Sequence, residues 1–280
     1  MNNLLIRTIT GIALVVVMMG CVFIHPLTFG LLGLVIVSGS YLELKNITLE
    51  KTPRVLVFAG LAFSGLAYII SFLVASGTIS EVYLVLLLLI IPMLAVAGIY
   101  NTGSESFVTI AKLIFSILFV TTPYILMLFA SFSFAGSRAL LGHSFEIYNP
   151  AIVAGFFILL WINDSAAYLV GASIGKHRLF ERISPKKSWE GFFGGLVFTL
   201  GAAWLISGFF TFLSRPDWII IGGIITVGAT YGDLFESLLK RNAGIKDSGN
   251  ILPGHGGFLD RFDGLSFAFP LVFLYITFFG

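Results

Sequence analysis

The sequence predicts an all-α polytopic membrane protein of about nine transmembrane helices. Of its 280 residues, 58% are hydrophobic and 11% are charged, whereas a soluble domain carries roughly 25% charged residues. Its 16 basic and 14 acidic side chains are too few to cover the surface of a soluble protein of this length. The expected solvent for most of the chain is therefore the lipid bilayer.

Nine apolar runs account for the predicted helices. A span needs roughly 20 mostly apolar residues, and each run is expected to be helical because lipid offers the backbone no hydrogen-bond partners. In an alternative with eight spans, one of the first two runs lies at the membrane surface, which reverses the side of the N-terminus but not of the later loops. The predicted helices cover residues 4–24, 27–42, 54–75, 82–100, 107–134, 151–171, 191–213, 217–239 and 265–280.

The links between the runs carry proline, glycine and polar residues, which interrupt apolar helices. His25 and Pro26 separate the first two runs, and residues 45–53 separate the second from the third. Residues 101–106 and 136–150 separate later runs. The sequence shows no internal repeat.

The basic residues favour a cytoplasmic N-terminus. With nine spans in that orientation, every lysine and arginine except Arg138 and Arg215 falls at a cytoplasmic helix end, as the positive-inside rule requires. A net charge of +2 is too small to indicate nucleic acid binding, so membrane lipids and phosphates are the expected partners. Cys21 is the only cysteine, which excludes an internal disulfide and a cysteine metal cage.

Acidic residues divide the chain into two functional parts. Nine of the 14 lie from Asp164 onward, and the other five lie in predicted loops or at span ends. We therefore expect residues 1–150 to form transmembrane scaffold helices and residues 151–280 to form a catalytic transmembrane region with cytoplasmic loops. The five early acidic residues are Glu43, Glu50, Glu81, Glu105 and Glu146.

Polar groups converge on one helical face near the end of the eighth run. Asp233, Glu236, Ser237 and Lys240 are spaced i, i+3, i+4 and i+7. A carboxylate inside a membrane costs a few kcal/mol, so these acids should face protein, a cation or water. A Glu236–Lys240 ion pair is the simpler alternative to a functional site.

The link before the last run is also rich in polar residues. It contains the sequences KDS from Lys246, PGHGG from Pro253 and DRFD from Asp260. Its glycines would let backbone N–H groups approach a phosphate, and Asp260 and Asp263 would offer oxygen ligands to a hard cation. The alternative is a glycine turn that only connects two helices.

Two further segments carry candidate residues. Asp164 in the sixth run is either a third acidic member of the site or a polar clamp between helices. Ser184 is expected to cap a helix with Pro185 in its first turn, which would place N–H groups beside Lys186 and Lys187 in a phosphate-binding corner. In the alternative interpretation, the two lysines only anchor the helix at the lipid surface.

These residue types together suit phosphoryl or nucleotidyl transfer, in which positioning and charge stabilisation supply most of the catalysis. No serine or cysteine lies in a pattern typical of an activated nucleophile, so a catalytic triad is not supported. An ion-coupled transporter would also explain acids within spanning helices. The lack of inverted repeats and the placement of the motif loops on one side argue against that alternative.

The C-terminal motifs resemble those of phosphatidate cytidylyltransferases, also called CDP-diacylglycerol synthases. The resemblance is carried by SLLKR from Ser237, by KDS from Lys246 and by PGHGGFLDRFD from Pro253. The sequence GDLFES at residues 232–237 and the segments 164–175 and 184–190 also resemble the family. The resemblance therefore covers roughly the last 120 residues. The N-terminal half matches only as generic membrane helices. A departure is Gly264, where relatives often carry serine.

The resemblance implies that CTP and phosphatidic acid react to give CDP-diacylglycerol and pyrophosphate, with the lipid phosphate attacking the CTP α-phosphorus. It also implies a divalent metal, usually Mg²⁺, with Asp233 and Asp260 as the leading ligands and Asp263 and Glu236 as further ones. CTP would arrive from the cytoplasm and the lipid laterally, at the cytoplasmic side of the membrane, which in a bacterial protein would be the inner or plasma membrane. A homo-oligomer is compatible with the sequence.

The resemblance further implies roles for individual side chains. Basic residues would neutralise the triphosphate and the lipid phosphate, and His255 would fix the turn or contact phosphate. The implied catalytic residues are Asp233, Asp260, Asp263, Lys187, Lys240 and Arg241. The implied substrate-binding residues are Asp164, Ser184, Lys186, Ser237, Lys246, Asp247, His255, Gly256, Gly257 and Arg261.

Two other classes of membrane enzyme are the main alternatives to a cytidylyltransferase. A CDP-alcohol phosphatidyltransferase should carry a DGxxAR run, but LSFA follows Asp263 and Gly264 in this sequence. A CTP-dependent polyprenol kinase would share the membrane helices and the nucleotide, and product analysis would separate it from a cytidylyltransferase.

Overall fold

The protein is almost entirely helical in a computed structural model that describes residues 3–50, 52–101, 106–133, 148–245, 248–249 and 256–280. Over these residues, eight helices are long and apolar enough to cross a membrane, and a shorter apolar stretch, Ile9–Ile24, lies within the first helix. The predicted all-α polytopic membrane fold is confirmed. The helices are α1 (Asn3–Ile24), α2 (Pro26–Thr48), α3 (Arg54–Ala75), α4 (Ile90–Asn101), α5 (Ser106–Ser133), α6 (Ala151–Ile174), α7 (Trp189–Ile206), α8 (Arg215–Asn242) and α9 (Leu259–Phe279).

The fourth predicted helix begins with 3₁₀ geometry. A 3₁₀ helix covers Glu81–Leu89 and continues directly into α4. Pro92 lies in the first turn of α4 and has no N–H to donate to the carbonyl four residues earlier. The α-helical hydrogen-bond ladder is therefore interrupted at this join, and the tighter helix precedes it.

The prediction that Ser184 begins a helix was wrong. Instead, strands β1 (Arg178–Phe180) and β2 (Ser184–Ser188) pair as an antiparallel hairpin, and α7 begins after it. Ser188 takes the capping role, because its extended backbone lets its hydroxyl accept the Gly191 N–H at 3.1 Å. Pro185 is compatible with β2 because a two-stranded sheet leaves outward-facing positions that need no N–H donor.

The chain divides into two compact units. Unit 1 comprises Met1–Tyr148 and Asp247–Arg261, and unit 2 comprises Asn149–Lys246 and Phe262–Gly280. In unit 1, α2 packs against α1, α3 and α5, and α3 packs against α5. In unit 2, α7 packs against α6 and α8. The functional division expected near residue 150 stays a prediction.

Two glycines of α8 allow α9 to approach it closely. A Cβ atom on Gly228 would lie 2.6 Å from the Ala268 Cα, and one on Gly232 would lie 2.5 Å from the Asp263 carbonyl oxygen. Any larger residue would push the two helices apart. The close approach brings the Asp233 turn of α8 against the Asp263 turn of α9.

Candidate active site

Three carboxylates from α8 and α9 form an acidic cluster in unit 2, made of Asp233, Glu236 and Asp263. One oxygen from each lies within 4.8 Å of the others. Glu236 is 1% exposed, whereas the Asp233 side chain is 41% exposed. Asp263 accepts the Gly264 N–H at 2.7 Å. Because like charges so close together repel, the cluster needs nearby cations.

Two lysines supply positive charge to this cluster. Lys187 Nζ lies 2.6 Å from the Asp233 carboxylate and 3.4 Å from the Thr230 carbonyl oxygen. Lys240 Nζ lies 2.7 Å from the Glu236 carboxylate one helical turn earlier, and its side chain is 11% exposed. The ion pair expected from the i, i+4 spacing is thus present, and it adjoins two further carboxylates.

The donor set of the acidic cluster fits a hard divalent cation. Proteins bind hard divalent cations such as Mg²⁺ through oxygen ligands, often carboxylates. Two spanning helices present three carboxylates together here. With two lysines paired to three acids, the five groups carry one net negative charge when all are ionised. A divalent cation would therefore be attracted to the cluster.

The hairpin separates the two lysines that the sequence placed side by side. Successive side chains of a strand point to opposite faces. Lys187 reaches the acidic cluster and is 25% exposed, whereas Lys186 is exposed to solvent. Ser184 is half-buried at the start of β2, opposite Phe180. The phosphate-binding corner predicted at a helix start around these residues is therefore not formed as a helix terminus.

The other predicted residues of unit 2 have different partners. Ser237 donates a hydrogen bond to Asp233 at 3.3 Å. Asp164 is exposed, accepts a hydrogen bond from the Asn163 amide at 3.3 Å and interacts electrostatically with Asp263. Arg241 is exposed and donates to the Ile245 carbonyl oxygen at 3.3 Å.

The described part of the C-terminal motif in unit 1 forms a turn, here called the motif turn, made of residues 248–249 and 256–260. Asp260 is half-buried and accepts the Ser248 N–H at 3.1 Å and the Gly257 N–H at 2.9 Å. Its carboxylate thus joins the two described ends of the turn. Arg261 follows and is exposed.

A buried acid that the sequence analysis assigned to the scaffold contacts the motif turn. Glu43 of α2 is 3% exposed. Its carboxylate accepts the Ser248 hydroxyl at 3.0 Å, the Phe258 N–H at 2.9 Å and the Leu259 N–H at 2.8 Å. These contacts join positions more than 200 residues apart in the sequence.

Comparison with known protein families bears on the chemistry of these sites. The model of a family described as cytidylyltransferases matches residues 5–279. The chain belongs to the cytidylyltransferase family. The match includes the N-terminal half, which the sequence analysis treated as generic membrane helices, so Glu43 lies within the family's matched region.

Curated members of the cytidylyltransferase family resemble part of this chain. A protein of Staphylococcus aureus (strain COL) is 47% identical over 118 residues, and one of Staphylococcus haemolyticus (strain JCSC1435) is 44% identical over the same length. Both are named phosphatidate cytidylyltransferase. Each match spans 41% of this chain and 45% of the relative, so the chain aligns with less than half of the length of the curated relatives it matches.

Three candidate residues lie outside the part of the chain that the structure describes. These are Lys246, Asp247 and His255. Their implied roles in substrate binding stay predictions.

Sequence reasoning overlooked Glu43 because the predicted second helix ended at residue 42. In the structure α2 continues to Thr48, which places Glu43 inside a candidate span. An ionisable residue within a spanning helix is a functional candidate by default. A predicted second helix that extended to residue 48 would therefore have identified Glu43 as a functional candidate.

Proposed function

We propose that this protein transfers the cytidylyl group of CTP to phosphatidic acid, which gives CDP-diacylglycerol and pyrophosphate. The acidic cluster beside Lys187 and Lys240 is the observation that carries the proposal. Membership of the cytidylyltransferase family supports it, as does the name phosphatidate cytidylyltransferase of the relatives that match part of this chain. Carboxylates and lysines in one place suit a reaction in which charge accumulates on phosphoryl oxygens.

The proposed reaction needs no nucleophile from the protein. A phosphate oxygen of phosphatidic acid forms a bond to the CTP α-phosphorus, and the bond between that phosphorus and the bridging oxygen of the β-phosphate breaks. Pyrophosphate leaves with the electron pair of the broken bond. The protein's tasks are therefore to align the two phosphates and to neutralise their charge.

Mg²⁺ is the proposed cofactor, held by Asp233, Glu236 and Asp263. When bound, it would withdraw electron density from the phosphoryl oxygens and offset their negative charge. Asp260 belongs to unit 1, and its role as a metal ligand stays a prediction. The family membership and the donor chemistry of the cluster support a divalent metal.

Lys187 is the proposed principal phosphate-binding residue. Its side chain is a quarter exposed, and its partner Asp233 has a side chain that is 41% exposed, against 1% for Glu236. An ammonium group on a flexible chain can exchange a carboxylate partner for a phosphate oxygen. Lys240 is more deeply buried, so it is proposed mainly to balance the charge of Glu236.

The proposed substrates arrive by different routes. CTP comes from the cytoplasm, and phosphatidic acid diffuses laterally in the membrane. The hairpin and the C-terminal end of α8 carry most of the basic residues of unit 2, which favours the cytoplasmic side for this end of the helices. The protein would thus act at the cytoplasmic surface of the membrane, where CTP and phosphatidic acid can both reach it.

Two radioactive forms of CTP test the proposed reaction. The purified protein in detergent would receive CTP labelled at the α- or the γ-phosphate, with and without phosphatidic acid and MgCl₂. We expect α-label in the chloroform-soluble lipid and γ-label in pyrophosphate, only when lipid and Mg²⁺ are both present. Transfer of γ-label to lipid would indicate a kinase, and intact CTP beside folded protein and lipid would refute the proposal in favour of transport.

A further inference from the structure

We propose that Glu43 is a positioning residue for the reaction, which holds the motif turn so that Asp260 keeps its orientation. The inference rests on the proposed function for its catalytic consequence. The statement that Glu43 holds the motif turn rests only on contacts within unit 1. Nothing in the C-terminal motif indicates this partner, because Glu43 precedes the motif by about 200 residues.

The hydrogen bonds of Glu43 reach both described ends of the motif turn. Ser248 donates its hydroxyl to Oε2, which also accepts the Leu259 N–H, while Oε1 accepts the Phe258 N–H. Three donors to one buried carboxylate are typical of a charged acceptor, and such bonds are roughly twice as strong as neutral ones. A buried acid with these partners fixes the surrounding backbone.

Glu43 also stabilises the start of α9. The first N–H groups of a helix have no partner within the helix, and a negative charge nearby interacts favourably with the helix dipole. Leu259 is the first residue of α9 and Phe258 immediately precedes it. Glu43 thus performs for α9 the capping role that a local serine or aspartate usually performs.

Two glycines make room for this carboxylate. A Cβ atom on Gly257 would overlap Glu43 Oε2, and one on Gly249 would lie 2.6 Å from Oε1. At Gly256 the backbone has a φ of +84°, and a Cβ atom would lie 2.6 Å from Asp260 Oδ2. The glycines predicted to admit a phosphate therefore admit the carboxylates of Glu43 and Asp260.

Asp260 depends on the same turn. Its carboxylate accepts N–H groups of Ser248 and Gly257, and each of these residues also contacts or adjoins Glu43. Loss of the Glu43 carboxylate would free the backbone that orients Asp260. If Asp260 acts in the reaction as the family resemblance implies, the turnover number should fall even when the protein remains folded.

The test compares Glu43→Gln with Glu43→Asp and with Tyr41→Phe. Glutamine keeps the shape but presents an amide donor to N–H donors, whereas aspartate keeps the charge and should restore part of the function. Tyr41 is a matched control on the same helix, because it is fully buried and its hydroxyl donates to the Val57 carbonyl oxygen of α3 at 3.2 Å. Ser248→Ala adds a milder variant that removes one donor.

The first readout is hydrogen–deuterium exchange of a peptide covering residues 256–261, in detergent and without metal. We expect roughly ten-fold faster exchange in Glu43→Gln, an intermediate rate in Glu43→Asp and Ser248→Ala, and the wild-type rate in Tyr41→Phe. The second readout is lipid labelling from CTP. We expect kcat in Glu43→Gln to fall about 10- to 100-fold and the Mg²⁺ concentration for half-maximal rate to rise.

The outcomes separate this inference from the proposed function. If residues 256–261 exchange at the wild-type rate in Glu43→Gln, or equally fast in Tyr41→Phe and Glu43→Gln, Glu43 does not hold the motif turn. Faster exchange with unchanged kcat and Mg²⁺ requirement would overturn the positioning role. If the wild-type protein does not label lipid, the proposed function fails, while the exchange measurement still decides whether Glu43 holds the turn.

Discussion

The acidic cluster and the motif turn neutralise their carboxylates in different ways. Asp233 and Glu236 pair with the lysine side chains of Lys187 and Lys240. Glu43 is held by two backbone N–H groups and a hydroxyl. A lysine on a flexible chain can move away and leave its carboxylate to another cation, whereas a backbone donor at a helix start cannot.

This difference indicates which carboxylates can change partners during a reaction. The acidic cluster is partly accessible through Asp233 and has cations that can be exchanged, so it is suited to bind a metal or a phosphate. Glu43 is buried and held by fixed donors, so it is suited to maintain a backbone conformation. Charge alone therefore does not distinguish a carboxylate suited to bind a metal or a phosphate from one suited to hold a backbone.

The largest expected effect concerns the buried ion pair of the acidic cluster. Lys240→Met would leave Glu236 buried without its cation beside two other carboxylates, which should destabilise the fold by about 3–5 kcal/mol. The double variant Lys240→Met/Glu236→Gln should recover much of that loss, because it removes the unpaired charge. Denaturation in detergent would measure both. Arg241→Met, an exposed neighbour, should cost less than about 0.5 kcal/mol.

A Lys240→Met variant as stable as the wild-type protein would contradict the ion-pair account. It would mean that Glu236 is not charged when Lys240 is absent, or that another cation replaces it. Glu236 would then not need Lys240 to balance its charge. The proposed difference between the acidic cluster, neutralised by lysines, and Glu43, neutralised by backbone donors, would not stand.

The second expected effect separates two neighbouring lysines. Lys187→Met should lower kcat/KM for CTP roughly 10²-fold, because it removes the cation beside Asp233. Lys186→Met should lower it by less than about 3-fold, because Lys186 lies on the other face of β2. Steady-state kinetics of lipid labelling would measure the ratio. Equal losses in the two variants would contradict the assignment made from the hairpin.

The smallest expected effects come from two glycines. Gly257→Ala would force its Cβ against the Glu43 carboxylate, which should cost about 1–3 kcal/mol and lower activity. Gly244→Ala should cost about 1 kcal/mol, because Gly244 has a φ of +71° but open space around it. Its activity per folded molecule should equal that of the wild-type protein. A Gly257→Ala variant as active as Gly244→Ala would show that the motif turn tolerates displacement.

The helices and the acidic cluster could be predicted because their signals are local. The lengths of the apolar runs predicted most helix boundaries to within a few residues. Helical periodicity placed Asp233, Glu236 and Lys240 on one face of α8. Asp263 joins them through the contact between α8 and α9. The sequence suggested that contact only through a shared motif.

The hairpin and Glu43 could not be predicted from local signals. Strand β1 has three residues and β2 has five, so neither shows a periodic pattern, and Pro185 after Ser184 matched a helix start equally well. Glu43 meets Ser248 across 205 positions. No periodicity within either segment specifies a partner at that distance, and both facts depend on tertiary packing.

The most direct test of the central claim compares two aspartates of α8. Asp233→Asn alters the acidic cluster, whereas Asp217→Asn makes the same change in the first turn of the helix, where Asp217 accepts hydrogen bonds from Ser214 and Tyr275. Transfer of α-label from CTP to lipid would be measured for both over a range of MgCl₂ concentrations. We expect a loss of at least roughly 100-fold for Asp233→Asn and less than about 3-fold for Asp217→Asn. Wild-type transfer by Asp233→Asn at limiting Mg²⁺ would contradict the claim that the acidic cluster carries the reaction.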